Sequence, residues 1–392
     1  MTTMEPTPFA LFRNNFLPLS ETFIHDECRF HERYRPEIFA RKRMNPDVFP
    51  GHVVHTANGL GEYSGSLLYG ATGLYPPFFS TFARRSYALV HAHFGHNGLY
   101  ALPYAVAFRL PLVVTVHGRD VTILTGPDRL NPEFWYYTLR ARRLFARATL
   151  FLAASTELAE LLVEAGCPPE KIRVHRLGVD LANFSFREHT PPGPPQVLMV
   201  GRFVKKKGFH LGLRAFAAAL DSGVVARCRI LGDGPERGSL EGLVARLGIG
   251  ERVTFSGAVP HNEVVRAMNE SALLLSPSLV APNMDRESGL IVAKEAAAVG
   301  LPVLAHWHGG LPDIVDDGVT GFLVPERDPA RLADRLERLL REPELRARMG
   351  VAARLKMEAE YDIVTVNRRL ETFFDEAIDL HRRCLSAEGT PR

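Results

Sequence analysis

Residues 286–305 read RESGLIVAKEAAAVGLPVLA, and this stretch indicates the fold of the chain. A helical run of small and aliphatic residues starts near 289, a Gly-Leu-Pro sequence at 300–302 stops it, and an apolar strand follows. Such helix-to-strand units are typical of α/β domains built on a parallel sheet. Two acids, Glu287 and Glu295, stand among the apolar residues, and a buried carboxylate needs a partner. The stretch therefore predicts an α/β fold with a polar site at one helix.

The same alternation of apolar strands and helical stretches runs through the whole chain. We predict strands at 8–13, 37–41, 88–94, 111–118, 149–155, 172–179, 196–201, 227–234, 252–257, 272–278, 302–306 and 321–325. A proline cluster, FREHTPPGPPQ at 186–196, separates two series of strands. The pattern predicts two Rossmann-like domains facing a cleft, with ligands beyond the carboxyl ends of the strands. We expect domains of 1–190 and 191–362, with a last helix from about 363 to 384 returning to the first domain and 363–392 belonging to it.

The composition is that of an ordinary soluble globular protein. Hydrophobic residues make up 46% and charged residues 23% of the 392 residues, and the net charge of +3 is too small to imply a nucleic-acid partner. The four cysteines lie far apart without a CxxC pair, which favours reduced thiols over disulfides or a zinc site. No secretory signal and no apolar run of about 18 residues is present. We therefore expect a cytoplasmic protein.

Cations at the end of one strand predict a phosphate site. The sequence VGRFVKKKG at 200–208 ends a strand with Arg202, and Lys207 follows just before a glycine that opens a helix. A guanidinium fork and an ammonium group could converge on one diphosphate. The alternative is a solvated lysine loop, and we expect that outcome for Lys205 and Lys206.

The helix after Glu287 predicts a second part of the same site. Ser288 is the predicted N-cap, and the backbone N–H groups at 289–291 would form an anion site together with the helix dipole. Glu295 would lie about two turns further along, where the hydroxyls of a ribose could satisfy its carboxylate. Alternatively, Glu295 is a helix-surface acid and Glu287 a favourable first-turn charge.

These motifs resemble those of glycosyltransferase family 4, the retaining enzymes of the GT-B fold. The matching segments between 196 and 328 are GRFVKKKG, ILGDGPE, FSGAVP, the E-x7-E of ESGLIVAKE, AVGLPVLA and GGLPDIVDDGVTGFLVPERD. In the first half, VTVHGRD at 114–120 resembles the family's strand followed by His-Gly. LPLSETFI at 17–24 and HAHFG at 91–95 resemble a subgroup of exopolysaccharide and colanic-acid enzymes.

The resemblance implies that the second half binds the nucleotide sugar. Arg202 and Lys207 would neutralise the diphosphate, helped by the N–H groups of Gly289 and Leu290. Glu295 would hold the ribose. Glu287 would contact the hydroxyls of the sugar, and His117 would contact the sugar or its phosphate. The turn at Gly232–Gly234, with Gly232 and Gly234 at its ends, and the backbone near Val259 would border the base.

One segment departs from the family's pattern. Many relatives have a glycine-rich loop after the first strand, whereas this chain has RNNFLPLSETF. Ser20 and Glu21 could replace the phosphate contact of that loop, or Ser20 could cap the following helix.

The chemistry of sugar transfer suggests how the site works without a metal. Charge builds on the departing phosphate, and many transferases stabilise it with a metal held by an Asp-x-Asp motif. This chain contains no Asp-x-Asp. Arg202, Lys207 and the helix N-terminus are the substitutes, so we expect no metal and no cofactor. The resemblance implies retention by front-side attack, with the donor's phosphate oxygen accepting the acceptor's proton.

Histidines of the first half allow two interpretations. His91 and His93 share a strand face and His96 is close, which would suit a metal, but no further ligand set accompanies them. We therefore predict no metal there and expect His93 to line the cleft. Asp120 could orient His117, or it could cap the next helix.

The acceptor side is less defined. The segment 134–148 mixes aromatic residues with four arginines, and as a basic amphipathic helix it could rest on an anionic membrane. Its alternative is a core helix with an arginine-rich outer face.

We predict a retaining glycosyltransferase that moves a hexose from a UDP-sugar, or a GDP-sugar, to a saccharide or lipid-linked acceptor in polysaccharide or glycolipid biosynthesis. An epimerase or phosphorylase of the same fold, glycosylation of a small molecule and a non-catalytic nucleotide-sugar binder are the alternatives. A nicotinamide oxidoreductase lacks support, because no GxGxxG follows a strand with an acid about 20 residues later.

Overall fold

The computed structural model describes residues 5–18, 21–57, 69–186, 193–281, 284–287 and 290–388. The chain divides into two compact units, one of Met1–Gly178 with Ile363–Arg392 and one of Val179–Asp362. The boundary therefore lies earlier than the predicted 190. The reason is local: the Val179 N–H donates to the Tyr361 carbonyl oxygen at 2.8 Å, and Phe184 is buried in the core of the second unit.

A parallel sheet organises the first unit. Its strands, among the described residues, are β1 (Thr7–Phe12), β3 (Tyr34–Ala40), β5 (Val54–Thr56), β6 (Val90–His93), β7 (Leu112–Val116), β8 (Leu150–Ala153) and β9 (Ile172–Val174). They lie in the order β5-β3-β1-β6-β7-β8-β9, with every pairing parallel, while β2 (Asn15–Phe16) pairs with β4 (Lys42–Arg43). The central strands are buried throughout, as expected for a parallel sheet covered on both faces.

Helices cover this first sheet. They include Thr22–Arg29, Pro76–Arg84, Gly95–Ala107, Arg119–Thr125, Trp135–Thr138, Ala141–Arg147, Thr156–Glu164 and Ile363–Glu388, and residues 69–72 are also helical. The last of these helices contributes Leu370, Phe374 and Ala377 to the same core as Phe9 and Leu11 of β1. The C-terminal segment thus packs within the first unit.

The arginine-rich segment 134–148 does not form one amphipathic helix. The chain makes two short helices, Trp135–Thr138 and Ala141–Arg147, with Leu144 and Phe145 of the second one buried. The break near residue 139 therefore interrupts the continuous basic helix face that binding to an anionic membrane would require. Among the described residues, no helix combines the length and the apolar character needed to cross a bilayer.

The second unit also contains a parallel sheet. Its strands, among the described residues, are β10 (Gln196–Val200), β11 (Arg227–Leu231), β12 (Val253–Phe255), β13 (Leu273–Ser276), β14 (Val303–His306) and β15 (Gly321–Val324). Their order is β12-β11-β10-β13-β14-β15, the Rossmann arrangement 3-2-1-4-5-6. In such sheets ligands bind beyond the carboxyl ends at the point where the strand order reverses, which here lies between β10 and β13.

Two apolar layers enclose this second sheet. Val197 and Met199 of β10 point into one layer, while Leu198 between them points into the other, as strand alternation requires. The helices of the unit, among its described residues, are Phe209–Asp221, Arg237–Arg246, His261–Asn269, Ile291–Ala298, Leu311–Ile314, Pro329–Arg341 and Pro343–Lys356, followed by a π-helical turn at Met357–Tyr361. The two units are therefore Rossmann-like α/β domains, as predicted.

Candidate active site

Two glycines shape the loop that carries the predicted phosphate cations. Gly208 has a φ of +61°, and a Cβ on it would lie 1.9 Å from the carbonyl oxygen of Pro277, so only glycine fits between this loop and β13. Gly232 has a φ of +132°, and a Cβ there would lie 1.9 Å from the Gly201 carbonyl oxygen. At these two glycines the backbone following β10, β11 and β13 comes into close approach around the switch point of the sheet.

The lysines of this loop pair with carboxylates. Lys207 Nζ lies 3.1 Å from Glu287 Oε2, and Lys206 Nζ lies 3.1 Å from Asp285 Oδ2 and 3.7 Å from Glu287 Oε1. Lys206 is partly buried by these contacts, so the expectation of a merely solvated side chain is wrong for Lys206, whereas Lys205 is exposed. The sequence alone did not show that two acids of the 284–287 segment would face this loop.

The pKa of Glu287 reflects those lysines. Burial of the carboxylate would by itself raise the pKa, but the ammonium groups of Lys207 and Lys206 outweigh burial and lower it from its ordinary value. Glu287 is therefore ionised at neutral pH. It is a buried acid with specific cationic partners, not a surface charge in the first turn of a helix.

Arg202 lies at the start of the same loop and is exposed. In the part of the chain that the structure describes, its guanidinium makes no hydrogen bond or ion pair. The backbone around it is fixed, because the Phe203 N–H donates to the Asp233 carbonyl oxygen at 2.8 Å. The backbone next to Arg202 is therefore fixed, while its exposed guanidinium is accessible to a ligand.

The backbone of Glu287 is held by a histidine that the sequence analysis left without a role. The Glu287 N–H donates to His308 Nε2 at 3.1 Å, so the proton of a neutral His308 is on Nδ1, which lies 2.6 Å from Glu326 Oε1. The Glu287 carbonyl oxygen accepts the Gly310 N–H at 3.2 Å. His308 and Glu326 therefore position the segment that carries Glu287.

The helix predicted after Glu287 is shorter than expected. It spans Ile291–Ala298, and Leu290 precedes it in a left-handed conformation with a φ of 31°. Ser288 and Gly289, the predicted N-cap and one predicted N–H donor, lie outside the described residues. The N–H of Leu290 thus belongs to a left-handed turn before the helix rather than to its first turn.

Glu295 lies on the buried side of that helix. Its Oε1 is 3.6 Å from Nε2 of His261, which begins the helix directly after Val259 and Pro260. Gly232 is linked to the same region, because its N–H donates to the Gly257 carbonyl oxygen at 2.7 Å. The predicted ribose residue and the predicted base-bordering segments are thus neighbours at the carboxyl ends of the strands.

Gly234 completes the turn after β11. Its φ is +157°, and a Cβ on it would lie 2.6 Å from the Phe203 carbonyl oxygen and 2.8 Å from the Phe203 nitrogen. The turn at Gly232–Gly234 therefore packs directly on the loop of Arg202, which brings a predicted base-bordering turn beside a predicted phosphate cation.

In the first unit, Asp120 fixes the backbone around His117. Its carboxylate accepts the N–H groups of His117 at 3.0 Å, Gly118 at 2.9 Å and Gly95 at 2.8 Å. Burial raises the pKa of Asp120, and these backbone N–H donors oppose that rise. Of the two predicted roles, Asp120 positions His117, and it does so through the backbone rather than through the imidazole ring.

Two buried side chains, Glu27 and His93, form a row that ends at the partly buried His117. Glu27 Oε1 lies 3.1 Å from His93 Nε2, and His93 Nδ1 lies 3.0 Å from His117 Nε2. His91 is next to this row, with its Nδ1 3.8 Å from Glu27 Oε1 and its Nε2 2.7 Å from Thr115 Oγ1. Sequence reasoning singled out His93 and His117, but His93 is completely enclosed rather than lining a cleft, and Glu27 was missed. Its spacing of three residues from Ile24, on the buried helix face, was the available signal.

The same cluster bears on the expected absence of a metal. Glu27, His91 and His93 offer ligand atoms that all lie within 4.8 Å of one another, a grouping that could also accommodate a cation. His96, the third histidine of the sequence-based alternative, is not a member of this group. Metal independence stays a prediction.

The segment that replaces the glycine-rich loop contains an ion pair. Arg13, which follows β1, donates from Nε to Glu21 Oε2 at 2.8 Å and also pairs through its Nη2, and its guanidinium lies 4.5 Å from the centroid of the Phe94 ring. Glu21 is thus paired with Arg13, and its role at a phosphate stays a prediction. Ser20 lies outside the described residues. Arg13 is a strand-end cation that the sequence analysis missed.

Comparisons with known proteins agree with this architecture. The model described as Glycosyltransferase Family 4 matches residues 21–183, and that described as Glycosyl transferases group 1 matches residues 182–356. The putative colanic acid biosynthesis glycosyltransferase WcaL of Salmonella typhimurium is 34% identical over 282 residues, which are 71% of this chain and 68% of WcaL. A D-inositol 3-phosphate glycosyltransferase of Frankia alni is 32% identical over 68% of each chain.

A solved structure shows the same fold. HepE of Anabaena, crystallised with UDP, superposes with a TM-score of 0.75 at 20% identity, covering 94% of this chain and 100% of HepE. Because the identity to WcaL exceeds 30% over more than two thirds of both chains, and the family models cover both units, the chain belongs to glycosyltransferase family 4, has the GT-B fold and is a glycosyltransferase.

Proposed function

We propose that the protein is a retaining, metal-independent hexosyltransferase that uses a nucleotide sugar and a saccharide or lipid-linked acceptor in exopolysaccharide assembly. The observation that carries this proposal is the lysine–carboxylate cluster at the switch point of the second sheet, in which Lys207 and Lys206 contact the buried Glu287. A buried acid held by two cations beside a third, exposed cation, Arg202, is suited to an anionic ligand that also carries hydroxyl groups.

The charge of this region suits a diphosphate. Residues 202–207 carry four cations, and residues 284–287 carry two carboxylates and one further cation. Cations therefore exceed carboxylates by three, and a nucleoside diphosphate sugar, which carries two negative charges, would offset most of that excess. The lysine side chains have rotatable stems and can turn from the carboxylates onto an arriving phosphate.

The same cations could stabilise the negative charge that the reaction produces on the leaving group. As the glycosidic bond to phosphate breaks, negative charge grows on the leaving diphosphate, and preorganised donors aimed at that charge lower the barrier. The absence of an Asp-x-Asp motif supports a mechanism in which Arg202 and Lys207 do this without a metal. Retention, with the donor phosphate accepting the acceptor's proton, follows from the family resemblance.

The nucleotide and the acceptor are proposed from the relatives. HepE was crystallised with UDP, which supports UDP over GDP, and the colanic acid enzyme WcaL supports a saccharide or lipid-linked acceptor. Glu295 would hold the ribose and Gly232–Gly234 would border the base. A second candidate is a small-molecule acceptor, which the D-inositol 3-phosphate glycosyltransferase of Frankia alni favours.

A ligand screen followed by product analysis tests this function. UDP- and GDP-sugars are added to the purified protein in EDTA, and the unfolding temperature is measured; a ligand at 100 Kd stabilises by about 2.7 kcal/mol. We expect stabilisation by a UDP-sugar and, with the acceptor, a product whose anomeric configuration by NMR matches that of the donor. Stabilisation by GDP-sugars alone would contradict the choice of nucleotide, and an inverted product would contradict retention.

The same assay separates the other enzyme classes of this fold. Release of sugar 1-phosphate that depends on inorganic phosphate would identify a phosphorylase. Conversion of the donor sugar without any acceptor would identify an epimerase. Either outcome would replace the proposed transfer reaction.

A further inference from the structure

Three polar atoms in the interior of the first unit face one another without a hydrogen bond. Glu27 Oε1, His91 Nδ1 and His93 Nε2 lie within 4.8 Å of one another, and their residues are 3%, 0% and 0% exposed. In the part of the chain that the structure describes, none of these three atoms has a hydrogen-bond partner. Buried polar atoms are normally paired, so three unpaired atoms at one point indicate a ligand that they share.

The spacing of these atoms is that of ligands around one zinc ion. Zinc binds histidine nitrogen and carboxylate oxygen at about 2.0–2.2 Å, so two ligands of a tetrahedral ion lie about 3.3–3.6 Å apart. Glu27 Oε1 is 3.1 Å from His93 Nε2 and 3.8 Å from His91 Nδ1, and these two distances bracket that range. An ion between the three atoms would satisfy all of them at once, whereas an ion pair of Glu27 with His93 alone would leave His91 Nδ1 without a partner.

The other nitrogen of each imidazole ring is already held. His91 Nε2 lies 2.7 Å from Thr115 Oγ1, and His93 Nδ1 lies 3.0 Å from His117 Nε2. Histidines that bind a metal commonly use their second ring nitrogen in this way, because the outer hydrogen bond fixes the orientation and the tautomer of the ring. Both rings are therefore oriented with their remaining nitrogen towards Glu27.

Secondary structure brings the three side chains together. His91 and His93 are two residues apart on β6, so they project from one face of the sheet. Glu27 comes from the buried face of the helix Thr22–Arg29, and its carbonyl oxygen accepts Asn367 Nδ2 at 2.7 Å. The sequence analysis predicted no metal because no further ligand set accompanied the histidines. Glu27 is that further ligand, and it lies more than 60 residues earlier in the chain.

We propose that Glu27, His91 and His93 bind a structural zinc ion that joins the helix Thr22–Arg29 to β6. Three such ligands and one water molecule complete the tetrahedral coordination of zinc. An octahedral ion such as Fe²⁺ would need three further ligands, for which this enclosed site has little access to solvent. The zinc takes no part in the proposed transfer, which relies on cations of the second unit, so the zinc site and the proposed function can fail independently.

Metal analysis of the purified protein tests the proposal directly. Protein without a histidine tag is produced in zinc-supplemented medium, purified without chelators and analysed by inductively coupled plasma mass spectrometry. We expect one zinc ion per chain in the wild-type protein and its loss in Glu27→Gln. Wild-type protein that neither contains nor takes up zinc, or that contains iron in its place, would overturn the proposal.

Two control variants separate this site from other side chains that bind zinc. Glu37→Gln removes a carboxylate that is equally buried in the same unit but contacts an arginine and a tyrosine, and it should keep the zinc. His52→Gln disrupts a second histidine pair, in which His25 Nδ1 lies 2.7 Å from His52 Nε2, and it should also keep the zinc. Zinc that is lost in His52→Gln and kept in Glu27→Gln would overturn the assignment.

X-ray absorption at the zinc edge identifies the ligands in the wild-type protein, so it does not depend on the folding of a variant. We expect nitrogen and oxygen ligands at about 2.0–2.2 Å. A sulfur ligand at about 2.3 Å would show that a cysteine, such as the buried Cys28, binds the ion, and it would overturn this ligand set.

Thr115→Val tests the outer hydrogen bond of His91. The variant removes the hydroxyl that lies next to His91 Nε2, and loss of such an outer contact typically weakens metal binding about 10- to 100-fold. Competition with a chromogenic chelator measures the affinity for zinc. We expect the wild type to bind most tightly, Thr115→Val less tightly and Glu27→Gln most weakly. Equal affinities of the wild type and Glu27→Gln would overturn the proposal.

Discussion

The two units balance a buried carboxylate in different ways. In the second unit, Glu287 is paired with Lys207 and Lys206, whose ammonium groups sit on long, partly exposed stems. In the first unit, Glu27 is paired with His93, a short and completely enclosed ring. An ammonium group on a flexible stem can turn to another anion, whereas an enclosed imidazole has no room to leave its partner. The second unit therefore has cations that can turn towards a charged ligand, whereas the first unit encloses both the carboxylate and its histidine partner.

The largest expected effect concerns the mobile cations of the second unit. Lys207→Ala removes an ammonium group that we propose to stabilise the leaving diphosphate, and loss of one such donor costs about 2.7–4 kcal/mol, or roughly 10²- to 10³-fold in kcat. Arg202→Ala should cost a similar amount. Steady-state kinetics on folded variants measure this effect.

Lys205→Ala is the matched control for those variants. Lys205 belongs to the same loop and carries the same charge, but its side chain is exposed and pairs with neither Asp285 nor Glu287. Its kcat should stay within a few fold of wild type. Equal losses in Lys205→Ala and Lys207→Ala would show that the loop acts only through its total charge.

The next effect concerns Glu287, which we expect to contact the sugar whose ring changes shape and charge during transfer. Its hydrogen bonds can strengthen in the transition state, so Glu287→Ala should lower kcat by about 10²-fold. Glu287→Gln keeps hydrogen-bonding capacity but removes the charge that holds Lys206 and Lys207. If Glu287→Gln retained full activity, the lysine pairing would have no role in turnover.

A smaller effect is expected for Glu295, which lies near His261 rather than near a lysine. A ribose changes little during the reaction, so its contact is similar in the ground and transition states. Glu295→Ala should raise the donor KM about 10- to 100-fold, from the roughly 1.5–3 kcal/mol of a hydrogen bond to a charged group, and leave kcat nearly intact. A loss of kcat with unchanged KM would reverse the assignments of Glu287 and Glu295.

Much of this picture could be predicted from the sequence because its signals are local. Apolar strands that alternate with helices predicted two parallel sheets, and strand-end residues such as Arg202 and His117 are found at the carboxyl ends where they were expected. Family motifs reinforced both inferences. Helix ends were less accurate, since the helix after Glu287 begins at Ile291 and the segment 134–148 breaks into two.

What the sequence could not supply were partners brought together by tertiary structure. Glu27 lies more than 60 residues before His93, and nothing near it in the chain marks it as the partner of a histidine. From the sequence, Lys206 could not be distinguished from the other lysines of its loop, because its contact with Asp285 is made only in the folded chain. Arg13 likewise could be recognised as a member of a buried ion pair only from its contact with Glu21 in the structure. Pairing energies depend on distance and burial, and neither can be read from a motif.

The most direct measurement of the central claim is the affinity for UDP in EDTA, by calorimetry, for the wild-type protein, Lys207→Ala and Lys205→Ala. If cations of the second unit hold the diphosphate without a metal, the wild type and Lys205→Ala should bind UDP in EDTA, and Lys207→Ala should bind at least tenfold more weakly. UDP binding that appears only after magnesium or manganese is added, or that is equal in all three proteins, would contradict the claim.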